Sequence, residues 1–195
     1  MKRRTFLMSA GAAIGATGLL GAGCSTTTTG PETSVDRGAR RREIDSGADA
    51  ALTRLYSSTR GAKELADRAQ GILIFPRVLS GGLVVGGEYG DGVLRSGGRA
   101  AGYYRVVGGS FGWQIGAQSQ AIVLMFLTQE ALERFRKSNG WTVGADATVS
   151  VAHVGATGEI DSNTVKQSIV GFALTNVGLY AGVKLDGSKI TRLDL

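Results

Sequence analysis

The sequence is poor in the residues that build crosslinks and metal clusters. It has one cysteine and one histidine among 195 residues, which excludes an internal disulfide framework and a conventional Cys/His metal cluster. Two prolines exclude a collagen-like chain or a proline-rich linker. Aromatic residues make up only 7%, whereas glycine occurs 31 times. The apolar share of 43% is enough for one core, and the length fits one domain with a short extension.

The N-terminus has the order of an export signal. Three basic residues at 2–4 precede a mildly apolar run over 7–23 that is rich in alanine and glycine, as in secretory signal peptides. The Arg3-Arg4 pair resembles a twin-arginine signal. A retained transmembrane helix is the alternative, but the run is short for a bilayer span and holds five glycines. We therefore expect residues 1–23 to be a signal peptide.

The lone cysteine follows this run directly. The small residues at 21–23 and then Cys24 resemble the lipobox of bacterial lipoproteins, which implies cleavage before Cys24 and acylation of its thiol and new amino group. Ser25 stands where an aspartate would favour retention at the inner membrane, so we expect a lipid-anchored protein of the bacterial cell envelope, at the outer membrane. More than one acyl chain gives stable anchoring. Residues 24–35 are predicted to be a flexible tether, because they lack apolar spacing.

The basic charge belongs largely to the signal. Removing residues 1–23 removes three basic residues and no acidic ones, so the formal charge falls from +6 to +3. A nucleic-acid partner is therefore not expected, and the sequence contains no motif that predicts a cofactor or a metal.

Helical spacing begins after the tether. Apolar residues at 44, 48, 51, 52 and 55 predict one face of a helix over about 36–57, with Asp36 as its cap. A second helix is predicted over 62–70, ended by Gly71, and a third over 129–137, capped by Thr128 and ended by Asn139-Gly140.

Most of the remaining chain has the pattern of short strands. A run at 72–75 is closed by Pro76, and Asp91-Gly92 predicts a tight hairpin turn. Further strands are predicted over 103–107, 111–118, 121–127 and 141–154, with a closing meander over 171–195. The predicted fold class is α+β: a curved, mostly antiparallel β-sheet or partial barrel, with N-terminal helices and one inserted short helix.

Glycine is concentrated in the predicted strands. Thirteen glycines lie between Gly81 and Gly116. Because glycine weakens a strand, this density predicts bulges, sharp bends or close backbone contacts.

One segment matches a hydrolase motif. Residues 108–112 fit G-x-S-x-G, which would make Ser110 a nucleophile with His153 as its base. A nucleophile elbow needs a helix after the serine, whereas alternating apolar residues over 111–117 predict a strand. Two carboxylate pairs, Glu88 with Asp91 and Glu159 with Asp161, could serve acid/base chemistry, but charges on surface hairpins are far commoner. We predict that the protein is not an enzyme and keep a serine hydrolase as a third reading.

The first helix is the strongest binding feature. A basic cluster precedes its apolar face, an arrangement typical of helices that lie on a membrane surface. An ordinary core-facing helix with solvated arginines is the equal alternative, since acidic residues dilute the basic face. The hypothetical contacts to lipid headgroups are Arg37, Arg40, Arg41, Arg42, Lys63 and Arg68.

An ordered series of motifs resembles the SYLF-domain family of lipid-binding proteins. It covers roughly residues 45–195 and includes the segments 71–77, 86–94, 102–104, 111–118, 122–126 and 135–151. The resemblance implies a compact domain that binds phospholipids and has no established enzymatic role. In eukaryotic members an N-terminal amphipathic helix binds phosphoinositides, and some members bind actin; the helix would correspond here to the region from Arg37 to Tyr56.

The sequence thus predicts a membrane-anchored, non-catalytic lipoprotein that binds phospholipids. A structural envelope lipoprotein that binds a protein partner is the alternative.

Overall fold

The computed structural model describes residues 33–82, 85–111, 118–152, 160, 166–175, 178–179 and 187–195, all of which belong to one compact unit, Thr33–Leu195. The predicted signal peptide, the acylation site at Cys24 and residues 25–32 of the predicted tether lie outside the described residues. The same holds for His153, Glu159 and Asp161.

Helix α1, Ser34–Ser58, opens the described chain. The Thr33 hydroxyl accepts a hydrogen bond from the Asp36 amide at 3.2 Å, and the Asp36 carboxylate accepts one from the Thr33 amide at 3.2 Å. The predicted cap at Asp36 is therefore wrong: Thr33 is the cap, and Asp36 supplies the reciprocal bond of a capping box. The predicted apolar face is confirmed, because its members are all buried: Ile44, Ala48, Ala51, Leu52 and Leu55.

Helix α2, Ala62–Arg68, is shorter than predicted. The backbone is already extended at Ala69, and Gly71 begins a strand instead of ending the helix. Helix α3, Gln129–Lys137, has the predicted bounds and the predicted cap, since the Ala131 amide donates to the Thr128 hydroxyl at 3.2 Å. Its C-cap is Ser138, before the predicted stop at 139–140.

The described strands form one sheet in the order β5-β9-β3-β2-β1-β4-β7-β6, with β8 paired to β7. Every pairing is antiparallel except that of β6 with β7. The fold class is α+β with a curved, mostly antiparallel sheet, as predicted. The strands are β1 Gly71–Gly82, β2 Val85–Ser96, β3 Arg99–Phe111, β4 Gln118–Phe126, β5 Trp141–Thr142, β6 Ser150–Val151, β7 Ile169–Thr175, β8 Gly178–Leu179 and β9 Lys189–Leu193.

The sheet separates two hydrophobic clusters. On one face, here called the helix face, α1 and α2 pack on side chains such as Ile74, Val93 and Phe172. On the other, the inner face, α3 packs on side chains such as Leu94 and Phe126. The buried Trp141 meets the Phe135 ring edge-on on the inner face, with 5.5 Å between the ring centroids. Burial on both faces accounts for the near-continuous apolar runs of the central strands.

Strand β1 continues through Pro76, where the sequence predicts its end. Ile74 pairs with Val93 but Arg77 pairs with Asp91, so β1 holds one extra residue in this stretch. The same extra residue appears against β4. Proline is tolerated at such a bulge because it removes no ladder hydrogen bond there.

The hairpin turn between β2 and β3 is also displaced from its predicted position. Strand β2 runs uninterrupted through Asp91 and Gly92, so the predicted turn there is wrong. The chain turns at Gly97-Gly98, whose φ angles are +59° and +75°. A two-residue primed turn needs positive φ at both central positions, which glycine adopts without strain.

The long strand predicted over 141–154 is replaced by two short ones. β5 and β6 are separated by a turn that includes Gly144, at φ +88°, and the predicted inward residue Ala145 is exposed. Strand β3 ends at Phe111 and strand β4 begins at Gln118; residues 112–117 between them lie outside the described residues.

Two glycines of β2 are required by the bulge in β1. A methyl group on Gly90 would lie 2.7 Å from the Arg77 carbonyl oxygen, and one on Gly92 would lie 2.4 Å from the Ile74 carbonyl oxygen. Both distances are far below van der Waals contact. The bulged backbone therefore occupies the space that side chains at these positions would need, as the sequence predicts for part of the glycine excess.

Candidate binding surface

Near its start, helix α1 is held on the helix face by an aspartate that forms ion pairs with two arginines. Arg40 of α1 forms an ion pair with Asp91 of β2 and donates to it from Nε at 3.1 Å. Arg105 of β3 donates from Nε to the other carboxylate oxygen at 2.8 Å. Burial disfavours the charged carboxylate, but the hydrogen bonds from Arg105 and Arg40 outweigh it, so the pKa of Asp91 is held below its usual value.

Three more polar contacts hold the middle of the helix on the sheet. The Tyr103 hydroxyl donates to the Asp45 carboxylate at 2.9 Å, and Arg95 pairs with Asp49 at 2.5 Å. Arg95 also donates to the Asp45 carbonyl oxygen at 3.2 Å. Gly47 allows the closest approach, because a methyl group there would lie 2.8 Å from the Pro76 ring. The helix is therefore bound to β1, β2 and β3 by packing and by charge.

Beyond the helix, the same face of the sheet carries an exposed apolar row. Leu79 pairs with Tyr89 in the β1–β2 ladder, and Tyr89 pairs with Val107 in the β2–β3 ladder. Their side chains are 47%, 43% and 48% exposed. Among the described residues four large apolar side chains are exposed, and three of them stand in this row. Since paired strands lie about 4.8 Å apart, the three side chains form a continuous strip, here called the apolar row.

The next row outward on the same face has no side chains. Gly81 pairs with Gly87, and Gly87 pairs with Gly109. Among the described residues, a methyl group on Gly109 would meet nothing within 4 Å, and one on Gly87 would meet only a carbonyl oxygen at 3.9 Å. Internal packing does not require glycine at Gly87 or Gly109, unlike Gly90 and Gly92. Together the three residues form a bare strip of backbone, here called the glycine row.

A groove of about 530 Å³ separates α1 from the apolar row. Ile44 and Ala50 line it from the helix, and Pro76, Leu79 and Tyr89 line it from the sheet. The guanidinium of Arg105 lies 4.8 Å from the centre of the Tyr89 ring, which holds that ring in place by a cation–π contact.

The charged lining of the groove includes two arginines that have no polar partner among the described residues. Arg54 of α1 and Arg77 of β1 line the groove and are exposed. Within the part of the chain that the structure describes, neither guanidinium makes an ion pair or a hydrogen bond. Arg40 and Asp91 are paired with each other, and Glu43 is the remaining charged group of the lining. Three arginines and two carboxylates leave the groove with one net positive charge.

The six predicted headgroup contacts do not form one cluster. Arg40 is committed to Asp91. Arg37 and Arg41 line a separate cleft of about 480 Å³ beside the C-terminal Leu195, and Arg41 also lies over the Tyr103 ring at 5.6 Å.

The other three predicted contacts lie elsewhere on the helices. Arg42 is exposed on α1. Lys63 pairs with Asp67 within α2 at 2.9 Å, and Arg68 is exposed at the end of that helix.

The sheet separates Glu88 from Asp91, whereas His153, Glu159 and Asp161 lie outside the described residues. Ser110 pairs with Gly86 inside the β2–β3 ladder and does not stand at a strand-to-helix turn. Glu88 and Asp91 point to opposite faces of β2, as residues three apart in a regular strand do, so they do not form the predicted pair. Glu88 is buried on the inner face and accepts a hydrogen bond from Ser188.

The Glu88 carboxylate reaches Ser188 across strand β3. Gly108 is its partner in the β2–β3 ladder, and a methyl group on Gly108 would lie 2.4 Å from the carboxylate oxygen. Glycine at this position therefore gives the carboxylate its path to Ser188.

Within the described ranges, no three His, Cys, Asp or Glu residues come together to form a metal site. No helix in those ranges has the length and apolar character needed to cross a bilayer.

Sequence reasoning identified α1 but missed Leu79, Tyr89, Val107, Arg54 and Arg77. The alternation of residues along β2 does indicate that Tyr89 shares a face with Val93. The sequence analysis missed this because it predicted a hairpin turn at 91–92, which would place Tyr89 and Val93 in different strands.

Comparison with known proteins gives the same family as the motifs. The family described as Ysc84, Las17-binding protein actin regulator, matches residues 107–194. SH3 domain-containing YSC84-like protein 1 of Xenopus laevis is 29% identical over 128 residues, which covers 63% of this chain and 38% of that protein. The chain thus spans less than two fifths of the length of that relative. Residues 107–194 thus match the Ysc84 family, in agreement with the resemblance of the motifs to the SYLF-domain family.

Proposed function

We propose that this protein is a non-catalytic lipoprotein of the bacterial cell envelope whose SYLF domain binds phospholipid membranes. The observation that carries the proposal is the apolar row of Leu79, Tyr89 and Val107 on the open part of the helix face. A contiguous exposed apolar strip on a folded domain marks an interaction site. The exposed Arg54 and Arg77 stand beside it.

The composition of this surface suits the interface of an anionic bilayer. Tyrosine favours the boundary between headgroups and acyl chains, because its ring is apolar and its hydroxyl is polar. An exposed arginine near an anionic surface contributes about 1 kcal/mol. The backbone beneath the row is fully paired in the β1–β2–β3 ladders, so contact with lipid leaves no unsatisfied amide there.

The lipid anchor is part of the proposal. Acylated Cys24 would hold the domain at the outer membrane, and weak binding by the domain surface would then set its orientation. Replacement of Cys24 by serine should abolish the labelling of the protein by palmitate. A protein that is still labelled without Cys24 would contradict the anchor.

Co-sedimentation with vesicles tests the surface. Residues 25–195 contain the whole compact unit Thr33–Leu195 and should bind vesicles that contain phosphatidylglycerol at low salt, with weaker binding at high salt because exposed charges are screened. The triple variant Leu79→Ser, Tyr89→Ser, Val107→Ser should lose about tenfold in affinity or more. Val35→Ser is the matched control, since Val35 is 75% exposed outside the row. If the wild-type domain does not sediment with these vesicles, the proposal is refuted.

A protein partner is the second candidate, because the family description names binding to the protein Las17. In that case the domain would not bind vesicles, and crosslinking in intact envelopes would capture one protein partner at the apolar row. Loss of this crosslink in the triple variant, together with absence of vesicle binding, would favour this function over the first.

A further inference from the structure

We propose that the groove between α1 and the apolar row binds one molecule of a single-chain anionic amphiphile, with its alkyl chain on the groove floor and its acidic headgroup at Arg54 and Arg77. The inference rests on the proposed lipid-binding function and goes beyond it. A bilayer needs only an exposed surface, whereas this site takes a single lipid molecule out of the membrane plane or out of solution.

The groove is a fixed feature of the fold. The Arg40–Asp91 pair holds α1 at one end of the groove, and the Gly47–Pro76 contact closes the helix onto the sheet. Asp91 is held in turn by Arg105, which also stacks on the groove residue Tyr89. A site whose walls are held in this way is preorganised, so binding loses little free energy to ordering.

The floor suits an alkyl chain. Ile44, Pro76, Leu79 and Tyr89 supply apolar surface to a groove of about 530 Å³, which lies within the size range of small-molecule sites. Since a whole bilayer surface cannot enter a groove of this size, its occupant must be a single molecule.

The charged residues of the groove lining determine which kind of headgroup binds. Arg40 is neutralised by Asp91, whereas Arg54 and Arg77 line the same groove without partners among the described residues. Arginine binds phosphate and carboxylate groups through two parallel hydrogen bonds. An anionic headgroup is therefore favoured over a zwitterionic or a neutral one, and Glu43 on the same lining disfavours a cationic one.

Calorimetric titration of residues 25–195 with dodecyl phosphate, below its critical micelle concentration, tests the site. We expect one molecule to bind per chain. Inorganic phosphate should not bind measurably, and uncharged dodecyl maltoside should bind about tenfold more weakly or worse. Binding of inorganic phosphate as tight as that of dodecyl phosphate would overturn the proposal, because the alkyl chain would then contribute nothing to the binding free energy.

Two variants locate the site. Ala50→Trp fills the groove from an exposed position of α1 and should abolish binding, while Ala39→Trp, at another exposed position of α1 that does not line the groove, should leave it unchanged. The double variant Arg54→Gln, Arg77→Gln should weaken dodecyl phosphate at least about tenfold. Arg136→Gln, at an exposed position of α3 that does not line the groove, is its control.

The outcomes separate this proposal from the proposed function. If vesicles bind but dodecyl phosphate does not, or if Ala50→Trp retains full affinity for it while circular dichroism shows an intact fold, the groove is refuted and membrane binding stands. If neither probe binds, both proposals fall.

Discussion

Gly92→Ala is the substitution that most directly tests the packing of the sheet. The added methyl group would lie 2.4 Å from the Ile74 carbonyl oxygen and 2.5 Å from a ring carbon of the buried Phe75. The carbonyl is held by its strand, so a rotamer change cannot relieve this contact. Overpacking of this kind costs about 1–3 kcal/mol. The smaller entropy of the unfolded alanine chain returns about 0.4–1 kcal/mol, which leaves a net loss of about 1.3 kcal/mol at the middle of the two ranges.

Urea denaturation followed by circular dichroism measures this loss. With a slope of about 2 kcal/mol per molar urea, the midpoint should fall by about 0.5–1 M. Gly109→Ala is the matched control, because its methyl group would meet nothing within 4 Å, and its midpoint should stay the same or rise slightly. Equal midpoints for Gly92→Ala and the wild type, or an equal loss in Gly109→Ala, would refute the assignment of glycine roles.

Three further predictions concern polar contacts. Ser188→Ala removes the hydrogen bond to the buried Glu88 carboxylate and should lower the free energy of unfolding by about 1–3 kcal/mol in the same assay. Asp91→Asn should be less stable than the wild type at neutral pH. Because the folded pKa of Asp91 lies below its usual 3.8, this difference in stability should persist above that value and vanish as the pH falls through the folded pKa. A difference that is constant down to pH 2 would contradict the stabilisation of the Asp91 carboxylate by Arg40 and Arg105. Thr33→Ala should cost about 1 kcal/mol and speed amide hydrogen exchange in the first turn of α1, whereas unchanged exchange there would argue against the capping box with Asp36.

The sequence was sufficient to predict the elements whose structure depends on neighbouring residues. The apolar spacing of α1 and the Thr128 cap of α3 follow from side chains within one or two turns, and the structure has both. The α+β class followed from the sum of such patterns and from the family motifs.

The failures arise where distant strands decide the local structure. Asp91-Gly92 has the composition of a tight turn, but Asp91 receives arginines from α1 and β3, and Gly92 makes room for a bulge in β1. Neither role is visible within the segment itself. The candidate surface was missed for the same reason, since the apolar row exists only once Leu79, Tyr89 and Val107 are placed in register.

The bulge at Pro76 has a consequence for how relatives of this protein should be compared. Before it, odd-numbered residues of β1 such as Phe75 point to the inner face, and after it the even-numbered Val78 does so. Pro76 and Arg77 stand where a regular strand would have one residue, so deletion of one of them would restore regular alternation and leave Val78 inward and Leu79 outward. A relative that lacks the extra residue therefore needs a one-residue gap at this position in an alignment. Without that gap, core positions of one chain would be equated with surface positions of the other.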